Sequence, residues 1–146
     1  MSRMIVRLSS IVICNFKNVK HGFLFFDDSN PGAQASILGL YGQNGSGKTA
    51  LIDSLEMLSF ILTRRSVPSF FADYINVDSE FASICYGFKI CDLDDRNVYY
   101  VYYNVSLRRD VKNSESNTLT PSQDREEYGV TLFNEILSYD CYSGGQ

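Results

Sequence analysis

The chain has 146 residues, 45% of them apolar, with 13 Lys and Arg against 17 Asp and Glu for a formal net charge of −4. Such a composition suits one folded unit with its own core and excludes a low-complexity or strongly charged disordered chain. The negative balance offers no overall attraction to DNA, RNA or anionic lipid, so any nucleic-acid contact is local or supplied elsewhere. Cys14, Cys85, Cys91 and Cys141 form no C-x-x-C pair, and the one histidine, His21, has no metal-type spacing to them. They read as reduced thiols of a cytoplasmic protein. The run Ile11-Val12-Ile13-Cys14 is too short for a signal segment or a membrane span, so no membrane association is expected.

In chain order, Ile5 to Cys14 and Phe23 to Asp27 read as short strands joined by the turn-like stretch Asn15 to Gly22, an opening hairpin. Asp28-Ser29-Asn30-Pro31-Gly32 is a loop by composition. Ser36-Ile37-Leu38-Gly39-Leu40-Tyr41 is a near-continuous apolar run, the pattern of a strand buried on both faces. Leu51, Leu55, Leu58 and Leu62 then recur at helical spacing, with Asp53, Ser54 and Glu56 off that stripe, which predicts an amphipathic helix of about four turns. Arg64 and Arg65 suit its C-terminal end, and Pro68 stops it. Beyond it the period changes to two. Phe81 to Ile90 alternates, with Ala82, Ile84, Tyr86, Phe88 and Ile90 on one face, and Val98 to Leu107 and Val130 to Tyr139 are further β-type runs. Asp92 to Asn97 reads as a turn, and the polar stretch 108–129, with Pro121, as a long surface loop or insertion. The expected fold is α/β in class, α+β within this chain: hairpin, loop-bearing strand and helix, then an antiparallel meander.

Between the buried strand and the helix lies Gly42-Gln43-Asn44-Gly45-Ser46-Gly47-Lys48-Thr49, which fits G-x-x-x-x-G-K-[ST] in the strand–loop–helix context that the motif requires. A triphosphate presents several anionic oxygens at once and needs donors placed beforehand. Gly42, Gly45 and Gly47 allow turns closed to residues with a Cβ, so N–H groups from Asn44 through Ser46, Lys48, Thr49 and Ala50 can converge on one concavity. The N-terminus of the helix lies there, where unpaired amides and the helix dipole favour an anion. Lys48 supplies a full charge to the β- and γ-phosphates as the candidate catalytic residue, and the Thr49 hydroxyl a ligand for Mg²⁺. A plain strand-to-helix turn needs no Lys48 followed by Thr49. The expected ligands are therefore ATP, or a closely similar nucleotide, and Mg²⁺.

With Asn44 in that loop, a hairpin ahead and an antiparallel sheet behind, the chain resembles the ATP-binding-cassette class of P-loop ATPases, its soluble branch more than transporters. Leu8 to Asn18, with Asn15-Phe16-Lys17-Asn18, is similar to the opening strand and N-F-K-N/S turn of SMC, RecF and OLD-type proteins. Prokaryotic ATPases of Septu, retron and anticodon-nuclease phage defence belong to that group. The resemblance implies the first lobe of an ATPase head, whose heads pair head to tail around ATP and whose hydrolysis gates a partner nuclease or a DNA or RNA transaction. It also places Phe16 and Lys17 near adenine and ribose, in reach of stacking or cation–π contact. From the residues alone, Phe16 reads equally as a core anchor and Lys17 as a solvated turn residue.

The sequence departs from the family pattern in its catalytic parts. No apolar run ending in Asp-Glu and no switch histidine come after the loop, and Gln43, Gln123 and Gln146 carry no mark of a metal-contacting glutamine. Residues 1–146 are thus expected to be one nucleotide-binding lobe, the N-terminal part of a larger ATPase head, binding nucleotide but turning it over hardly at all. Tyr142-Ser143-Gly144-Gly145-Gln146 resembles the cassette signature L-S-G-G-Q, though a Ser-Gly-Gly turn after a strand accounts for it more simply.

Alternatives are a small P-loop phosphotransferase, with Arg64, Arg65, Arg108 and Arg109 as lid arginines, and a non-catalytic nucleotide-binding fragment. Tyr99, Tyr100, Tyr102 and Tyr103 suggest sheet packing before a base-stacking platform. Asp92, Asp94 and Asp95 suggest a turn before a calcium loop.

Overall fold

A computed structural model describes residues 3–26, 39–94, 97–111 and 128–142. The runs of alternating β-branched and aromatic residues form strands β1 (Met4–Phe16), β2 (Val19–Phe25), β3 (Phe81–Asp92), β4 (Val98–Val111) and β5 (Tyr128–Tyr142). Helix α1 (Lys48–Leu62) and a 3₁₀ helix (Ser69–Tyr74) lie between β2 and β3. All five strands make one antiparallel sheet in the order β2-β1-β3-β4-β5. The opening hairpin joins the later meander because β1 pairs with β3 from Met4↔Asp92 to Cys14↔Ser83.

One sheet face carries the core. Ile11 and Ile13 of β1, Ala82, Ile84 and Tyr86 of β3, and Val105 and Leu107 of β4 are buried together with Ala50, Leu51, Met57 and Leu58 of α1. The alternation expected for β3 is thus present where it meets the helix. The helical stripe is rotated from its expected position: Ser54 is fully buried while Leu62 is 66% exposed. A tyrosine causes the rotation. The buried Tyr86 hydroxyl donates to the Ser54 carbonyl at 2.6 Å, and the Ser54 hydroxyl donates to the Leu51 carbonyl at 2.7 Å. A small residue at 54 lets the helix approach the ring, and both buried hydroxyls find a partner.

Past the helix, Arg64 takes a left-handed conformation at φ 55°. Its N–H donates to the Ile61 carbonyl at 3.0 Å, and that of Arg65 to the Phe60 carbonyl at 2.9 Å. These two bonds form a Schellman closure, with Arg where Gly is usual.

Three further boundaries differ from the sequence reading. The hairpin is tight: β1 runs to Phe16, paired with Val19, so only Lys17 and Asn18 make the turn. No glycine marked it, and Lys17 adopts a φ of 54°. The strands β4 and β5 extend to Val111 and from Tyr128, so both ends of the expected 108–129 loop belong to the ladder; its middle lies outside the described residues. Residues 36–38 of the expected buried strand, the loop 28–32 and residues 95–96 of the Asp92–Asn97 turn also lie outside them. Gly39 to Gln43 are described and form no strand. A strand there needs ladder partners, and the described strands pair only with one another.

The 3₁₀ helix went unread in the sequence. Phe71 and Ala72 are buried in it, and Arg109 of β4 fastens it by donating to the carbonyls of Ala72 at 3.1 Å, Ser79 at 3.4 Å and Ile75. Replacing Arg109 by Ala removes a charged donor from three carbonyls and is expected to cost about 2–3 kcal/mol, measured by urea denaturation.

Tyr86 and Tyr103 stack at 6.4 Å, and the Tyr103 hydroxyl donates to Glu135 at 2.7 Å. Burial, then the bond to Glu135, pushes the Tyr103 hydroxyl up to about 12. Burial also raises that of Tyr86. Both folded values lie above the unfolded value of about 10, so their contribution is fully present below pH ~10 and is lost as pH rises through the folded values. The urea midpoint is expected to fall between pH ~10 and ~12, and Tyr103→Phe to flatten that fall.

Candidate functional site

Helix α1 begins without a side-chain cap. Gly47 occupies the N-cap at φ 89°, ψ 1°, and no acidic residue stands in the first turn. The opening amides are therefore left without the oxygen acceptor that Ser, Thr or Asp supplies at this position. Gly45 at φ 84° also takes the left-handed conformation, which residues with a Cβ adopt at a cost. Lys48 closes the loop on itself, its Nζ donating to the carbonyls of Gly42 at 2.7 Å and Gln43 at 2.8 Å and to the Ser46 Oγ at 3.2 Å. Its charge is thus held across the loop.

A cavity of about 470 Å³ is lined by the loop from Asn44 to Thr49 and, on its other wall, by Lys17 and Asn18. The hairpin tip thus meets the loop. A Cβ on Gly47 would stand 2.9 Å from the Val19 Cγ2, so this glycine answers both to backbone conformation and to a close neighbour. The Asn18 side-chain amide donates to the Gly45 carbonyl. Lys17 pairs with Asp53 of α1 and lies 4.0 Å from the centre of the Tyr74 ring.

The structure brings together Gly42, Asn44, Gly45, Ser46, Gly47, Lys48 and Thr49. Ala50 offers only backbone, because its side chain is fully buried. The stacking role that the resemblance implies for Phe16 is not open to it. It is fully buried, its ring 6.4 Å from that of Phe71 and 5.7 Å edge-on to that of Tyr74, so no ring face is left for a base and it serves as a core anchor. Lys17 is half-buried and ion-paired, not a solvated turn residue, and keeps its place in the cavity wall. Asn18 and Asp53 went unread as site residues. The signal lay in the hairpin's second asparagine and in an acid falling one helical turn after Thr49.

Three of the four arginines considered for a phosphotransferase lid make contacts elsewhere. Arg109 holds the 3₁₀ helix, Arg65 donates to the Thr63 Oγ1 at 2.9 Å, and Arg108 lies 3.6 Å from the Asp110 carboxylate. The tyrosines of β4 do not share one platform: Tyr103 packs on Tyr86, and Tyr100 meets Tyr142 edge-on at 5.6 Å. Gln123, Glu126, Glu127 and the Ser143–Gln146 stretch lie outside the described residues. Among the described residues no group of three or more His, Cys, Asp or Glu could hold a metal ion, and no helix is long and apolar enough to cross a membrane.

Gly47→Ala forces a Cβ into left-handed backbone and against Val19. It is expected to cost about 1–3 kcal/mol, read from the urea midpoint.

A family model described as an AAA domain matches residues 10–140. The DNA replication and repair protein RecF of Azobacteroides pseudotrichonymphae genomovar. CFP2 is 30% identical over 99 residues, 68% of this chain. The chain spans 24% of that protein's length. No solved structure matches.

Proposed function

The chain belongs to the AAA domain family that matches residues 10–140, and from that premise we propose that it binds ATP, or a closely similar nucleoside triphosphate, in the loop from Gly42 to Thr49. The observation that carries this reading is the uncapped start of α1 behind two left-handed glycines, with Lys48 held across the loop. Unpaired amides, the positive end of the helix and one ammonium are the donor set that a polyphosphate requires.

In this reading the amides of the loop and of Lys48, Thr49 and Ala50 receive phosphate oxygens. Lys48 exchanges its loop carbonyls for the β- and γ-phosphates, while Lys17 faces the same cavity from the hairpin. Mg²⁺, when bound, neutralises charge between those phosphates, and the exposed Thr49 is the residue that would hold it.

Residues 1–146 form one nucleotide-binding lobe, arranged as the first lobe of an SMC/RecF-type ATPase head. Hydrolysis draws on a carboxylate beyond the groups assembled here, since no Walker B run comes after the loop in this sequence. The likeness to a DNA replication and repair protein favours a DNA transaction, and the pairing of heads is carried by the sequence resemblance. A nuclease partner and a role in phage defence are carried by the sequence resemblance alone.

Titration of labelled ATP with Mg²⁺ against the wild-type chain and Lys48→Ala tests the reading. Loss of a charged donor at about 1.5–3 kcal/mol corresponds to roughly ten- to a hundredfold weaker binding. Equal affinities would overturn the assignment.

A further inference from the structure

Resting on that reading of the loop, we propose that Asn18 is a positioning residue for the triphosphate, holding the peptide between Gly45 and Ser46 so that the loop is shaped for an anion before one arrives. The Asn18 amide donates to the Gly45 carbonyl, and the N–H at the other end of the same peptide, that of Ser46, donates to the Gln43 carbonyl at 3.3 Å. The peptide is thereby held at both ends. It needs holding because it comes after a glycine at φ 84°, where no Cβ resists rotation. Released, its carbonyl dipole is free to turn toward the cavity, and an oxygen facing the phosphates repels them.

Asn18 has the support that this role demands. The tip is fixed from beneath: Phe16 bridges to Ile75, and the Lys17 N–H donates to the Tyr74 carbonyl. Asn76 donates from its side chain to the Lys17 carbonyl at 3.2 Å and from its backbone to the Asn15 carbonyl at 2.8 Å. Lys17 holds a φ of 54°, a conformation that persists in a non-glycine residue where the surroundings over-determine it. The two tip side chains then diverge, Lys17 to Asp53 on α1 and Asn18 to the loop, so one rigid turn sets both sides of the helix start. Only a donor can serve at 18, since a carboxylate would face the carbonyl with acceptors alone.

The test titrates the full chain with Mg²⁺-ATP and with Mg²⁺-tripolyphosphate, which carries the phosphates without base or ribose, using Asn18→Ala, Asn18→Asp and Lys48→Ala. Asn18→Ala is expected to weaken both ligands by the same factor, roughly five- to twentyfold, with Asn18→Asp weaker still. The melting temperature without ligand should stay at the wild-type value, since Asn18 is exposed. A loss confined to ATP would mean that Asn18 touches the nucleoside, which overturns the proposal. Wild-type affinity in Asn18→Ala beside a weak Lys48→Ala overturns it too, while leaving the loop assignment standing. Wild-type affinity in Lys48→Ala removes the loop assignment itself, and this inference with it.

Discussion

The ring of Phe16 is buried between Phe71 and Tyr74, and its backbone bridges to Ile75. Everything that faces the loop hangs from this anchor. The tip just beyond it carries Lys17 and Asn18, which reach α1 and the loop in opposite directions. The 3₁₀ helix beneath is in turn fastened by Arg109, more than thirty residues away on β4. A residue of the meander therefore bears on a glycine loop with which it shares no contact. Burial of an aromatic ring of this size contributes about 1.5–3 kcal/mol, and hydrogen bonds supply direction.

The second constraint is rotational. A helix that presented only leucines to the sheet could slide or turn at small cost, because apolar burial has little directional preference. Tyr86 removes that freedom. Its hydroxyl is satisfied only where the Ser54 carbonyl meets it, and leaving such a group unpaired costs about 1–3 kcal/mol. The rotation of α1 fixes where Asp53 emerges, and so where Lys17 finds its partner. Core packing and site geometry are thus set by the same bond.

Much of this was legible in the sequence because it is local. Alternation in Phe81 to Ile90 and the glycine pattern of Gly42 to Thr49 depend on neighbours within a few residues. The tip at Lys17-Asn18 was not legible, since Lys17 has no preference for the positive φ it adopts and the contacts that impose it come from Tyr74 and Asn76. Ser54 differs for the same reason: a polar residue off the apolar stripe reads as outward-facing, and Tyr86 on another strand accounts for its burial. The 3₁₀ helix has no periodicity to read, and Arg109 on a distant strand fastens it through the carbonyls of Ala72 and of Ile75 and Ser79 just after it. For Phe16 the sequence left two roles open, and burial decides between them.

A chain of net charge −4 is an unpromising host for a polyanion if charge is averaged over the molecule, but the proposed binding depends on local charge. Interactions beyond about 10 Å are screened at ordinary salt, so the carboxylates that matter are those near the start of α1. Its first turn holds none. The next acid along it, Asp53, is not a free charge, because Lys17 occupies it from the hairpin tip. Among the described residues of the loop and the first turn of α1, the charge that remains is the Lys48 ammonium, beside the uncapped amides and the positive end of the helix. These groups favour an anion at the start of α1, and the ion pair that fixes the tip also offsets the charge of Asp53.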